Sequence, residues 1–321
     1  MQSNFETALR NHMEGQRERL TAEQLEQYTR FALSNRDRGE TFVEFLLSSF
    51  ELDFSQLRVL DIGSAYGGFL IQSAKRGSIC CGVEIVDYLH RLAEENIEGE
   101  NLPVKLICGD FLDERLKDEL GSDPFDVIVI NDVFEHVFDL DLLIERINQH
   151  RSTGTFLYFS IPNGTSYSMV LKEGHKFIFG LSLLEPGLWA KLVGPFNIYY
   201  RPYRVYQFYF RHMGLQHIYL QVDPSKIEKA PARVVEKLSA IREEMERNPF
   251  ESSDIANMAE KKIVLLEQQI KRDLEMLEPL DIHVLYEMHF WTGFATPTAV
   301  EVKDGSNLVK YELGSRKYDN L

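Results

Sequence analysis

The chain has 321 residues, 44% apolar and 26% charged, an ordinary globular composition with enough length for one large core or two modest ones. Fifty acidic against 35 basic residues leave a formal charge of -15, which disfavours a nucleic-acid partner, because phosphate contact needs a basic footprint. No run of 18 apolar residues occurs and the N-terminus lacks the apolar core of a signal peptide, so no membrane span is expected and the expected location is cytoplasmic.

Residues 1–50 read as a helical cover. Within them "TAEQLEQYTRFAL" offers Thr21 as a cap with Gln24 at the third helical position, and "GETFVEFLLSSF" repeats apolar side chains on one face. A strand–helix alternation follows in residues 51–321. Strands are expected at 58–62, 78–84, 104–108, 125–130 and 155–161, with helices starting near Gly68, at "DYLHRLAEENI" and at 140–150. Continuous apolar strands separated by helices imply a parallel sheet covered on both faces. Cys80, Cys81 and Cys108 lie in those strand-like runs and are expected to be buried, reduced thiols; no zinc-ligand spacing accompanies them.

Residues 163–203 are rich in Gly, Pro and aromatics and do not fit a plain crossover. They read as a lid over the strand ends, on the acceptor side. The helix "YRVYQFYFRHMG" ends near Gly214, and "LQHIYLQV" reads as a sixth strand. Between 224 and 280 two apolar stripes at helical spacing, Ile227 to Met245 and Ala259 to Leu277, flank "NPFESSD" and predict an antiparallel helical hairpin. The stripes suit internal packing and a homodimer contact equally. A last strand is expected in "IHVLYEMHFWTGFA", with Ile282 to His289 inside it.

The most informative stretch is "LRVLDIGSAYGGFL", in which a short apolar strand runs into a bend carrying Gly63, Gly67 and Gly68. A second strand ends in Glu84, 23 positions after Asp61. A carboxylate there suits a ribose diol. The glycine spacing is not G-x-G-x-x-G, and Asp61 would repel a pyrophosphate while attracting a cationic or amine-bearing ligand.

From Leu57 to about Gly214 the chain resembles class I S-adenosylmethionine-dependent methyltransferases, of the group acting on small molecules. The resemblance rests on "VLDIGSAYGGFL", "CCGVEIV", "LICGDFLDE", "FDVIVINDVFEHV" and "GTFLYFSIPN" in that order. It implies a Rossmann-like α/β fold with a seven-stranded mixed sheet, helical covers and the hairpin as an insertion before the final strand. It implies S-adenosyl-L-methionine as cofactor. Asp61 would orient the amino group, usually through water, and the bend would lie against the methionine end. Glu84 would take both ribose hydroxyls, and Asp110 would accept from the adenine amine. Gly63, Ser64, Ala65, Gly67, Ile85, Phe111 and Asn131 complete the implied cofactor set. Ala65 stands where many members carry glycine.

For the chemistry, "NDVFEHV" offers Asp132, Glu135 and His136 directly after strand four. His136 reads either as a proton acceptor or as a loop anchor, and His175 in "KEGHKF" as a general base or a backbone-bonded loop residue. Asp132 is placed with them as a catalytic candidate. Tyr167, Tyr199, Tyr200 and Tyr203 are candidates to line an acceptor pocket, with Arg201 and Arg204 for an acidic group on the acceptor. No metal is expected. The expected activity is methylation of a small molecule, with a sugar or secondary-metabolite hydroxyl favoured. A nucleotide-dependent oxidoreductase and a non-catalytic binding subunit are the alternatives.

Overall fold

The computed structural model describes residues 4–194, 198–247, 250 and 252–313. Parts of the expected lid (195–197), of the hairpin turn (248, 249 and 251) and of the C-terminus (314–321) lie outside them. The chain divides into two compact units.

The first unit holds the described residues up to Asn131, then Asp141–Tyr158 and Thr296–Ser306. It opens with three helices, α1 (Asn4–Glu14), α2 (Ala22–Leu33) and α3 (Asn35–Ser49). Thr21 and Gln24 close a reciprocal capping box on α2, as their spacing predicts. The alternation continues through β1 (Arg58–Ile62), α4 (Gly68–Lys75), β2 (Ile79–Glu84), α5 (Asp87–Glu98), β3 (Val104–Cys108), α6 (Leu116–Leu120), β4 (Phe125–Asn131), α7 (Leu140–Gln149) and β5 (Arg151–Pro162). The strand order runs β3-β2-β1-β4-β5. β1 pairs in parallel with β2 and β4, and β2 with β3. Val59, Leu60, Ile62 and Val127 to Ile130 are buried, which is why these strands are largely apolar. Cys80 and Cys81 are buried, and burial pushes their thiols up to about 12 and about 11. Cys108 is exposed, contrary to expectation; it closes β3, an edge strand in which Ile107 is the one buried residue.

The N-terminal helices brace the glycine bend. Phe5, Leu9, Ala32, Tyr66 and Leu92 form one buried cluster, with the Phe5 and Tyr66 rings 5.9 Å apart. α3 crosses α4 at two glycines: a Cβ on Gly39 would lie 2.2 Å from the Gly68 carbonyl oxygen, and one on Gly68 only 2.0 Å from that of Asn35. Asn96 on α5 ties the crossing to the bend. Its Nδ2 donates to Asn35 Oδ1 (3.0 Å) and to the Tyr66 carbonyl (2.7 Å).

The second unit holds Asp132–Leu140, Phe159–Ala295 and the described residues from Asn307 onward. Its further elements are α8 (Tyr167–Leu171), α9 (Pro186–Val193), α10 (Tyr203–His212), β6 (His217–Gln221), α11 (Pro224–Ile227), α12 (Ala230–Glu246), α13 (Ser253–Met276), α14 (Pro279–Ile282), β7 (Phe290–Thr296) and β8 (Leu308–Lys310). Here the strand order is β5-β7-β6-β8, and β8 pairs antiparallel with β6. Among the described residues the mixed sheet thus has eight strands rather than seven, β8 being a three-residue strand too short to show a pattern.

The last expected strand starts late. Ile282 ends α14, and His283–Glu287 forms a single π-helical turn; β7 begins only at Phe290. The apolar run here resembles a strand, but side chains support the wide turn. Asn163 Nδ2 donates to the carbonyls of Leu285 and Met288 (2.9 Å each), and Trp291 Nε1 to that of Val284 (2.8 Å). These bonds take up carbonyls that a π turn leaves poorly paired.

The predicted hairpin is α12 and α13. Val234, Ile241, Ile255, Ala259, Ile263 and Ile270 are buried in one cluster with Phe179, Leu181 and Trp189 of the insertion. Arg242 and Glu267 pair between the two helices. The apolar stripes are therefore covered within this unit, and Val235, Leu265 and Met276 are the large apolar side chains these helices expose.

Candidate active site

In the first unit the chemistry gathers at the ends of β1 and β2. Gly63 and Gly67 both take φ of +74°. The amides of Gly63 and Ser64 donate to the Val83 carbonyl at 2.8 and 3.1 Å, which folds the bend back onto β2. Ala65 is forced into left-handed backbone at φ +44°, so the residue that departs from the family's glycine sits where glycine is the unstrained choice. Ala65→Gly is expected to raise stability by up to about 1 kcal/mol. A thermal melt checks it, with a rise of a few degrees expected and a fall contradicting it.

Asp61, 2% exposed, has no hydrogen-bond partner for Oδ2, and buried Ser64 has none for Oγ. Burial, with the charge of Glu84 adding to it, holds the Asp61 carboxyl well above its ordinary value. An approaching cation reverses that shift. Glu84 is buried, and each of its oxygens accepts one amide: Oε2 from Ala65 (2.9 Å) and Oε1 from Val86 (2.8 Å). Each oxygen keeps a further lone pair, so the carboxylate is fixed by the backbone and can still accept two hydroxyls. Orphaned polar atoms of Asp61 and Ser64 at the bend and an oriented carboxylate beside it fit S-adenosyl-L-methionine, a ligand with an ammonium, a sulfonium and a ribose diol. Ile85 is largely exposed next to Glu84. Asp110 is exposed and caps the turn after β3 by accepting from Leu112 N (2.9 Å). Phe111 is buried, its ring 6.1 Å from that of His150, so its side chain serves the core. Asn131 ends β4.

In the second unit a polar cluster forms from two segments distant in sequence. Asp132 begins the first, with φ +56° and its amide on the Ser160 carbonyl (3.0 Å). A short 3₁₀ turn, Phe134–His136, follows. Arg201 fastens this loop by donating to the carbonyls of Phe134 (3.1 Å), Val137 (2.8 Å) and Phe138 (3.0 Å). Its guanidinium is therefore committed to backbone rather than held out for an acceptor. The Tyr199 amide donates to the Glu135 carbonyl at 2.6 Å, and its ring lies 5.4 Å from that of exposed Phe138.

The second segment brings His175 to within 5.3 Å of His136, ring to ring, nearly perpendicular. Glu173 is fully buried and collects the His175 side chain (Nδ1 to Oε1, 2.9 Å), the amides of His175 and Lys176, and the Tyr200 hydroxyl. Burial raises the Glu173 pKa, but those bonds outweigh it and hold the carboxyl below its ordinary value. Gly164 makes room for Tyr200: a Cβ there would lie 2.7 Å from that of Tyr200. Glu135 contrasts with Glu173. It is also fully buried, yet neither oxygen accepts a hydrogen bond. Burial, with Asp132 adding to it, holds it well above its ordinary value.

The structure thus assembles Asp132, His136, His175, Tyr199, Tyr200 and Arg201 around one cluster, and adds Glu135 and Glu173. Three other candidates lie apart. Tyr203 is buried against Trp291 (5.2 Å) and Tyr311 (5.4 Å). Arg204 is exposed on α10, beside Tyr286 and Tyr311. Tyr167 lines a different cavity of about 620 Å³, with Asp223, Arg233 and Glu287. Glu173 has a signal in the sequence, the Glu-x-His spacing of "KEGHKF".

A family described as a methyltransferase domain matches residues 17–236, more than half of the chain. Among curated proteins, the ubiquinone biosynthesis O-methyltransferase of Coxiella burnetii is 30% identical over 128 residues, 38% of this chain and 51% of that protein. The chain spans about half the length of the curated relatives it matches. Among solved structures, phosphoethanolamine N-methyltransferase 2 of Haemonchus contortus, in complex with S-adenosyl-L-methionine, is 20% identical with a TM-score of 0.41, covering 75% of this chain and 49% of that one. Magnesium protoporphyrin IX methyltransferase of Synechocystis PCC 6803 is 15% identical with a TM-score of 0.41, covering 57% and 74%. The family match, the motif order and the glycine bend with its two carboxylates agree: the chain belongs to the methyltransferase-domain family of class I S-adenosylmethionine-dependent methyltransferases.

Proposed function

We propose that this methyltransferase binds S-adenosyl-L-methionine through Asp61, the 63–67 bend and Glu84, and methylates a hydroxyl oxygen of a small molecule. The observation that carries the oxygen assignment is the Glu173–His175 pair beside His136. A neutral amine is nucleophilic as it stands, whereas a hydroxyl must lose its proton for the oxygen to attack. A buried carboxylate that fixes one imidazole through Nδ1 leaves Nε2 as the basic nitrogen, the arrangement that proton removal requires. The sulfonium of the cofactor supplies an activated methyl group, so the protein's part is to align the acceptor and to manage its proton.

Asp132 directly follows Asn131, the last residue of β4. The relatives named as O-methyltransferases agree with an oxygen acceptor. Sugars and secondary metabolites are the first acceptors to try. The intact carboxylate–imidazole pair favours turnover over a purely binding role.

An acceptor screen detecting S-adenosylhomocysteine tests this. Hydroxyl compounds are expected to be methylated, and His136→Ala and His175→Ala to lower turnover by about 10²–10⁴-fold with cofactor affinity nearly unchanged. Turnover confined to amines, or full turnover in both variants, would overturn the oxygen assignment.

A further inference from the structure

We propose that Glu135, His136 and His175 form a binding site for a first-row divalent cation. This deepens the hydroxyl reading by naming what activates the oxygen, and its catalytic use rests on that reading; its occupancy does not. One ligand atom from each of the three residues lies within 4.8 Å of the other two. Around an ion held at about 2.1 Å, ligand atoms stand about 3–4 Å apart, so small side-chain rotations close the set.

The first argument is electrostatic. The Glu135 side chain is fully buried with two oxygens that accept no hydrogen bond, and His136 Nε2 stands 3.9 Å from Oε1. Asp132 adds a second negative charge to its surroundings. The cation facing it from α10's N-terminal side, Arg201, donates to backbone carbonyls instead. A buried carboxylate with no donors is costly unless something positive meets it. A cation at this point supplies that charge and occupies the orphaned oxygens.

The second argument is the orientation of His175. Metal-bound histidines commonly give their other N–H to a carboxylate, which fixes the tautomer and turns the lone pair toward the ion. Glu173 does this here, through Oε1 and His175 Nδ1 at 2.9 Å. Tyr200 and two backbone amides hold Glu173 in turn. Nε2 then carries the lone pair, on the ring that meets His136 edge-on.

Two imidazoles and one carboxylate form a borderline donor set. It suits zinc, cobalt, manganese or ferrous iron better than magnesium or calcium, which prefer all-oxygen shells. Three protein ligands leave a position for an oxygen ligand, and an ion there lowers the pKa of a bound hydroxyl. With an ion in place the two imidazoles would act as ligands, and the acidified hydroxyl would lose its proton to solvent water rather than to a free imidazole. Glu135 and His136 are neighbours on one loop, and the third ligand, His175, lies 39 positions after His136 in the chain, so no ligand spacing marks the set in the sequence.

The test uses the full chain, stripped with a chelator and titrated with Co²⁺ and with Zn²⁺. One equivalent of Co²⁺ per chain is expected, with the visible absorption of a low-coordinate nitrogen–oxygen site, displaced by Zn²⁺. Glu135→Gln and His175→Ala are each expected to weaken binding at least 100-fold. Glu173→Gln, which removes no ligand, is expected to weaken it about 10- to 100-fold. S-adenosylhomocysteine affinity, measured alongside, reports that each variant is folded. Binding below one equivalent, or equal binding in wild type and the Glu135→Gln/His175→Ala double variant, would overturn the site. If metal binding fails this way while the histidine variants still lose turnover on hydroxyl acceptors, the oxygen assignment stands without the ion.

Discussion

Glu84→Ala is expected to weaken S-adenosylhomocysteine binding about 100-fold. Two hydroxyls donating to a buried carboxylate are each worth about 1.5 kcal/mol, and about 3 kcal/mol in total is roughly two decades of affinity. Glu84 also holds the bend, since its oxygens accept the amides of Ala65 and Val86. Alanine strands both amides as well as losing the ribose contacts. Glu84→Gln separates the two roles: one amide oxygen still accepts, but the charge is gone and an N–H₂ faces a backbone donor. An intermediate loss of about tenfold is expected for it. Calorimetry with S-adenosylhomocysteine gives both numbers. Wild-type affinity in the alanine variant would remove Glu84 from the cofactor site.

Gly68→Ala is expected to cost about 3 kcal/mol, at the upper end of what forced overpacking does. The new Cβ would lie 2.0 Å from the Asn35 carbonyl oxygen and 2.5 Å from its carbon. Both are backbone atoms, and α3 can yield only by moving away from α4. That movement pulls Asn35 from Asn96 and loosens the bond from Asn96 to the Tyr66 carbonyl. At this size a domain loses about 2–4 °C per kcal/mol, so the melting temperature should fall by about 6–12 °C. Gly187→Ala is the control, because nothing lies within 4 Å of a Cβ there. An unchanged melt for Gly68→Ala would mean that α3 is not seated on α4 as described.

The first unit was largely legible in the sequence. Parallel strands buried on both faces must be apolar throughout, and a bend that forces positive φ must be rich in small residues, so β1, β2 and the loop between them announced themselves. Glu84 and Asp61 were legible because a carboxylate at the end of such a strand has little structural reason to be there. The N-terminal helices were visible as helices, but their seating on α4 was not. Gly39 looks like a poor helix residue until Gly68 is set against it.

The second unit is less legible in the sequence, because tertiary context decides its structure. Ile282, Val284 and Leu285 suit strand or helix alike, and Asn163 and Trp291, distant in the sequence or beyond the turn, favour the π turn. The aromatic residues of the insertion were all plausible pocket walls. Tyr200 meets Glu173, whereas Tyr203, three residues on, faces a core of Trp291 and Tyr311. Arg201 looked like an anion receptor and instead clamps carbonyls. The pairing of His136 with His175 joins two loops and leaves no periodic trace.

The most direct test of the account is the ligand preference of the purified full chain. Calorimetric titration with S-adenosylhomocysteine is expected to give one saturable site with a micromolar dissociation constant, about 8 kcal/mol, and titration with NAD⁺ or NADH no saturable heat. Saturable binding of a nicotinamide dinucleotide, with none of S-adenosylhomocysteine or S-adenosylmethionine, would contradict it.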